Sequence, residues 1–215
     1  MEYLKNDIFY AIVGRREAEK ILKNDNLQDV LLISVLNPKP TNEVYNELKR
    51  EIEKGKKQIE VFFTEKGKVY KRITTNEEAK EYLKRKSYLL ETEDYNFLPI
   101  NENLKKKLKD ILEVRFWDIE EKIRNYDPID EKEAEKIVNF ILKHENSLKK
   151  RKTKILLHCS AGVSRSAAVA LAVKAIVDFE GEIPKNCEIL NFKRYKPNFF
   201  VAKKIIEIYK KKKEI

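Results

Sequence analysis

Cys159 and Arg165 stand six positions apart, with Ser160, Ala161, Gly162, Val163 and Ser164 between them and Ser166 directly after. The apolar run Ile155, Leu156, Leu157 before them reads as a buried strand, and the stretch from Ser166 to Phe179 reads as an apolar helix. A cysteine at the mouth of a loop that wraps back onto a helix start meets inward-pointing backbone N–H groups and the positive end of the helix dipole. Such surroundings hold an anion and favour a thiolate, so Cys159 is expected to be nucleophilic at neutral pH. Arg165 adds a planar fork able to bond two oxygens of one anion, and Gly162 lets the backbone approach that anion closely.

The elements that must position this loop follow from the hydrophobic pattern. Strands are expected at Ile8 to Val13, at Val30 to Leu36, at Ile111 to Trp117 and at Lys154 to His158. The second is a continuous apolar run stopped by Asn37, Pro38 and Pro40, as suits a strand buried on both faces. Helices are expected at Arg15 to Lys23, Thr41 to Lys54, Glu77 to Lys86, Glu131 to His144 and from about Asn198 to Lys213. Ile59 to Phe63 and Val69 to Ile73, around Gly67, read as a hairpin inserted at a sheet edge, and Tyr88 to Asn103 as irregular. Alternating strands and helices imply an α/β fold, with a central, mainly parallel sheet of four to five strands and helices on both faces. Its chemistry belongs at the carboxyl ends of the strands. We expect one domain over residues 1–215, with an elaboration at about 39–110 and the catalytic core at about 111–215.

The segment from His158 to Ser166 resembles the signature loop of the protein tyrosine phosphatase superfamily, and its Ala-Gly-x-Ser-Arg-Ser form is similar to dual-specificity phosphatases. The resemblance implies that Cys159 forms a phosphocysteine and that Arg165 and the loop residues Ser160 to Ser164 bind the phosphoryl oxygens. It also implies that Ser166 eases departure of the thiolate and that His158 tunes the cysteine through hydrogen bonds. Pro197 and Asn198, after Arg194, stand where the family often has Pro-Asn. Ile33 to Pro38 is similar to an Ile-Ser strand of small prokaryotic members. The resemblance covers Leu112 to about Ile208 and hardly covers Lys39 to Asp110.

Cleaving a phosphate ester also needs a proton on the leaving oxygen, which calls for a carboxylic acid on a nearby loop. Asp118, Asp127 and Asp130 precede the signature. Spacing in much of the family argues for Asp127. Strand context argues for Asp118, because Phe116-x-Asp118-Ile119 resembles the Phe-x-Asp-Ile of a prokaryotic branch. We take Asp118 as the general acid, with Asp127 as the alternative, and read Asp127 and Asp130 otherwise as caps of the helix at Glu131. His144 is expected to be a solvated residue at a helix end, Cys187 a core thiol rather than a redox partner of Cys159, and Lys210 to Lys213 a solvated helix end.

Composition bounds the rest. Two cysteines among 215 residues make no disulfide framework, and the first residues lack the apolar stretch of a signal peptide, which together predict a soluble, cytoplasmic chain. No stretch is apolar enough for a membrane span. The formal net charge of +10 is compatible with an anionic partner, and the 38% charged, Lys- and Glu-rich surface with a thermophile's ion pairs. The expected activity is phosphate-monoester hydrolysis on a phosphorylated protein, without metal or organic cofactor. Phosphatase action on RNA 5′ ends and a catalytically silent phosphate-binding module are the alternatives. Nucleic acid is the less favoured partner because the loop lacks aromatic residues for stacking bases.

Overall fold

The computed structural model describes residues 10–23, 27–38, 41–65, 68–85, 100–122, 127–185, 187–191 and 193–214. Four parallel strands form the central sheet: β1 (Tyr10–Gly14), β2 (Val30–Leu36), β5 (Asp110–Arg115) and β6 (Lys154–Cys159), in the order β1-β6-β2-β5. Every residue of β2 is buried, as its unbroken apolar run requires of a strand covered on both faces. The first strand, expected from Ile8 to Val13, is found at Tyr10–Gly14; Ile8 and Phe9 lie outside the described residues.

Alternation along these strands sends side chains into two separate cores. Ile12, Leu31, Ile33, Val35, Val114, Ile155 and Leu157 face one layer. That layer is built by α5 (Glu131–Lys149), α6 (Arg165–Phe179) and α8 (Phe199–Lys213). Ala11, Val13, Val30, Leu32 and Leu156 face the other, covered by α1 (Arg15–Ile21) and by Leu104 and Leu108 at α4 (Glu102–Lys107). Twelve of the fifteen residues of α6 are buried, so this helix is apolar all round and runs through the middle of its layer. A short α7 (Glu188–Asn191) leads towards α8.

Between β2 and β5 the chain builds a small unit with a hydrophobic cluster of its own, made by Ile52, Ile59 and Ala79 with Leu48 and Leu83 against them. Its elements are α2 (Thr41–Glu53), the antiparallel pair β3 (Gln58–Glu65) and β4 (Lys68–Thr75), and α3 (Asn76–Arg85). The hairpin expected at the edge of the central sheet is instead a two-stranded sheet by itself, with β5 rather than the hairpin forming that edge beside β2. Residues 102–107, within or beside the stretch expected to be irregular, are helical, with the Asn101 side chain accepting from Leu104 N at 2.9 Å as a cap.

β5 stops at Arg115, two residues short of the expected end. Phe116 N still donates to Leu36 O, but β2 itself ends there, and Pro38 has no N–H with which to continue a ladder. Helix α5 runs to Lys149, so His144 lies inside it rather than at its end. His144 is accordingly not a solvated residue: its Nε2 is 2.7 Å from Asp110 Oδ2, and its ring meets Phe140 edge-on at 5.1 Å. Lys210, Lys211 and Lys213 are exposed, as expected of a solvated helix end, and on that surface Lys210, Lys211 and Lys212 are ion-paired, to Glu182, to Glu131 and Glu207, and to Glu135, while the Lys213 ammonium lies over the Tyr209 ring.

Candidate active site

The carboxyl ends of β1, β2, β5 and β6 converge on residues 159–165. Cys159 is the last residue of β6 and is 4% exposed. Its Sγ lies 3.2 Å from Ser166 Oγ and accepts from Gly162 N at 3.3 Å, so the loop closes around the sulfur as a ring of donors. Burial pushes the Cys159 thiol up, and the Arg165 guanidinium, the Ser166 hydroxyl and the amides of Ser166 and Gly162 together outweigh it, leaving the thiol below its ordinary value. Cys187 shows the opposite direction: burial pushes its thiol up, with the Glu188 carboxylate beside it, as for an inert core thiol.

The tight path of the loop depends on Gly162, whose φ of +70° lies in the left-handed region. A Cβ there would sit 2.2 Å from Val13 C and 2.3 Å from Gly14 N, so the loop packs backbone against backbone on the end of β1. Gly14 serves the same approach from the other side, since a Cβ on it would meet Ala161 O at 3.2 Å. Arg15 N donates to Ser160 O at 3.2 Å and completes the seam.

Arg165 is 6% exposed and is fixed from two strands. Its Nη1 donates to Leu36 O at 3.1 Å, to Asn37 Oδ1 at 2.8 Å and to Phe116 O at 2.9 Å, while Nη2 donates to Ser160 Oγ at 3.2 Å. One nitrogen is thus committed to holding the side chain. An anion in the loop would draw on Nε and Nη2, a different division of the fork from one that offers both terminal nitrogens.

Asp118 sits between the buried Phe116 and the buried Ile119, which pin its short segment beyond β5. Its Oδ1 accepts from Ser164 Oγ at 2.9 Å and from Asn198 Nδ2 at 3.1 Å, which joins the carboxylate to the loop itself. Asp127 is tied to the same segment only through its backbone, its O accepting from Trp117 N at 3.4 Å, while its side chain is 60% exposed and ion-paired to Lys122 at 2.9 Å. Asp130 caps α5, accepting from Glu133 N at 2.8 Å. Of the three carboxylates, the structure brings Asp118 to the loop.

His158 is fully buried, with Nε2 2.8 Å from Ser34 Oγ in β2. Burial, reinforced by the Arg15 and Arg165 guanidiniums, pushes its imidazole down to about 4, so the ring is neutral at pH 7. Ser34, Asn37, Gly14 and Asn198 are supporting residues to which the sequence reading assigned no role. Ser34 had one signal, a hydroxyl in an otherwise apolar strand, and Asn37 another, an amide directly after that strand.

A thiol with lowered ionisation value, cradled by amides at the start of a buried helix and backed by an arginine, defines an anion-binding nucleophilic site of the phosphatase class. The family model for protein-tyrosine phosphatase matches residues 42–198, well over half of the chain, and the chain belongs to that family of cysteine-dependent phosphatases. The match runs through residues 42–110 as well as the loop. No curated protein and no solved structure matches the chain.

Proposed function

We propose that the protein hydrolyses phosphate monoesters of proteins, as a tyrosine or dual-specificity phosphatase, through a phosphocysteine on Cys159. The observation that carries this reading is the meeting, at one loop, of Cys159 Sγ with its ring of donors and of Asp118 bound to Ser164 of that same loop. The Cys159 thiolate attacks phosphorus in line, the S–P bond forms, and the ester P–O bond breaks as Asp118 delivers its proton to the leaving oxygen. Arg165 and the amides from Ser160 to Ser164 hold the equatorial oxygens. Water then attacks the phosphocysteine and gives a proton to the Asp118 carboxylate. The S–P bond breaks, and the Ser166 hydroxyl, 3.2 Å from the sulfur, receives the departing thiolate. The two free cysteines support a cytoplasmic setting, and the ion pairs that join α5 to α8 support a thermophilic one.

Turnover of p-nitrophenyl phosphate in EDTA, with inhibition by vanadate and iodoacetate, tests the chemistry. Phosphate binding without turnover would instead mark a silent binding module. A panel of phosphotyrosine and phosphoserine peptides, phosphoinositides and 5′-phosphorylated RNA tests the substrate class, and a kcat/KM highest for the RNA would overturn the protein-phosphatase reading.

A further inference from the structure

Asn198 uses both ends of its amide, and the two uses fix each other. Its Oδ1 accepts from Phe200 N at 3.0 Å and from Val201 N at 3.3 Å, which caps α8. Both contacts require the oxygen on that side, so the amide orientation is set and Nδ2 must face the other way. There it donates to Asp118 Oδ1, and with Asn198 only 3% exposed, water cannot readily replace it. Ser164, the residue before α6, donates to the same carboxylate oxygen, and its hydroxyl makes no cap contact with α6. Asp118 Oδ1 therefore takes two donors, from residues 46 and 80 positions away, while Oδ2 has no hydrogen-bond partner among the described residues.

We infer that Asn198 is a positioning residue for the reaction: it holds Asp118 over the loop with Oδ1 saturated, so that the transferable proton resides on Oδ2. The inference rests on the reading of Asp118 as general acid. A carboxyl tethered at one oxygen by two buried-side donors swings through few orientations, and a general acid is effective only within hydrogen-bond reach of the oxygen it protonates. Segment 193–198 reinforces the arrangement, since Lys196 N donates to Val163 O at 3.0 Å and docks that segment on the loop. The start of α8, the acid and the nucleophile's loop thus form one hydrogen-bonded unit before any substrate arrives.

The test separates this role from capping. In Asn198→Ser the hydroxyl still caps α8 but is too short to reach Asp118 as well, so the melting temperature should stay above that of Asn198→Ala. We expect kcat/KM of Asn198→Ser to fall about tenfold with phenyl phosphate, part of the roughly 10² to 10⁴ that general-acid catalysis supplies, and to change less than about twofold with 4-nitrophenyl phosphate, whose leaving group needs no proton. In an Asp118→Asn background the same substitution should cost nothing more. Asn198→Thr, which also caps, repeats the comparison should the serine variant melt below the assay temperature. Equal losses with both substrates, equal losses in both backgrounds, or no loss with phenyl phosphate would overturn the inference. Asp118→Asn alone losing no more with phenyl than with 4-nitrophenyl phosphate would instead remove Asp118 as the acid, and the inference with it.

Discussion

The sulfur of Cys159 lies within reach of the Ser166 hydroxyl and of the Ser166 and Gly162 amides, and replacing that atom is the sharpest test of what the loop does. Cys159→Ser should leave the melting temperature nearly unchanged and abolish turnover, because a hydroxyl in the same cradle is not ionised at neutral pH. Residual activity within about tenfold of wild type would remove Cys159 as nucleophile. Arg165→Lys should be nearly as severe for kcat/KM, since an ammonium cannot reproduce a planar group that bonds Leu36 O, Asn37 Oδ1, Phe116 O and Ser160 Oγ together. Asp127→Asn should alter kcat with phenyl phosphate little, as expected of a side chain that is ion-paired at the surface, whereas Asp118→Asn should lower it by roughly 10² to 10⁴. Cys159, Arg165 and Ser166 were legible in the sequence because loop chemistry is local: seven or eight consecutive residues specify the cradle. Asp118 was harder to distinguish from Asp127, since the choice rests on contacts to Ser164 and Asn198, which no local spacing reports.

Among the elements, β2 and β6 are joined at the level of the site by the buried contact between Ser34 and His158. The His158 imidazole is pushed from 6.5 to about 4 in the folded chain, so it folds as a neutral ring, whereas the unfolded chain takes up a proton at higher pH. Stability from this group is therefore fully present above pH 6.5 and is lost as pH falls from 6.5 towards 4, by at most about 3 kcal/mol. Urea unfolding of wild type and His158→Gln across that window should show the wild type losing more stability, and parallel curves would contradict the assignment. The strands and long helices were legible because apolar periodicity marks them. Their ends were less so, for an end is set by its surroundings: β5 stops where β2 stops, and α5 continues past His144 as far as the buried Leu148.

For the molecule as a whole, the division of apolar residues into three clusters means that not every core residue bears on catalysis. Ile59 is 1% exposed yet belongs to the small cluster between α2, β3 and α3. Ile59→Ala should cost about 2 to 5 kcal/mol locally and speed amide exchange in β3 and β4, while turnover of 4-nitrophenyl phosphate stays within about twofold. A matching loss of turnover would show that this unit supports the loop. Such a unit escaped the sequence reading as a separate body because strand patterns state that two strands pair without stating which sheet they join.

The seam between Gly162 and the Val13–Gly14 backbone carries a consequence for how the protein is made. β1 pairs with β6, Tyr10 opposite Ile155 and Gly14 opposite Cys159, so the first described strand finds its neighbour only after most of the chain has left the ribosome. During synthesis, at roughly 5 to 20 residues per second, β1 waits many seconds with its edge and apolar faces unpaired. The small α2–β3–β4–α3 unit, whose contacts are all short in sequence, can form in that interval. The phosphate cradle cannot, because β6, Cys159 and the loop after it are made late while their rear wall, β1, is already waiting, so a nascent chain stalled before Lys154 has neither the thiol nor the pocket in which to trap an anion or an oxidant.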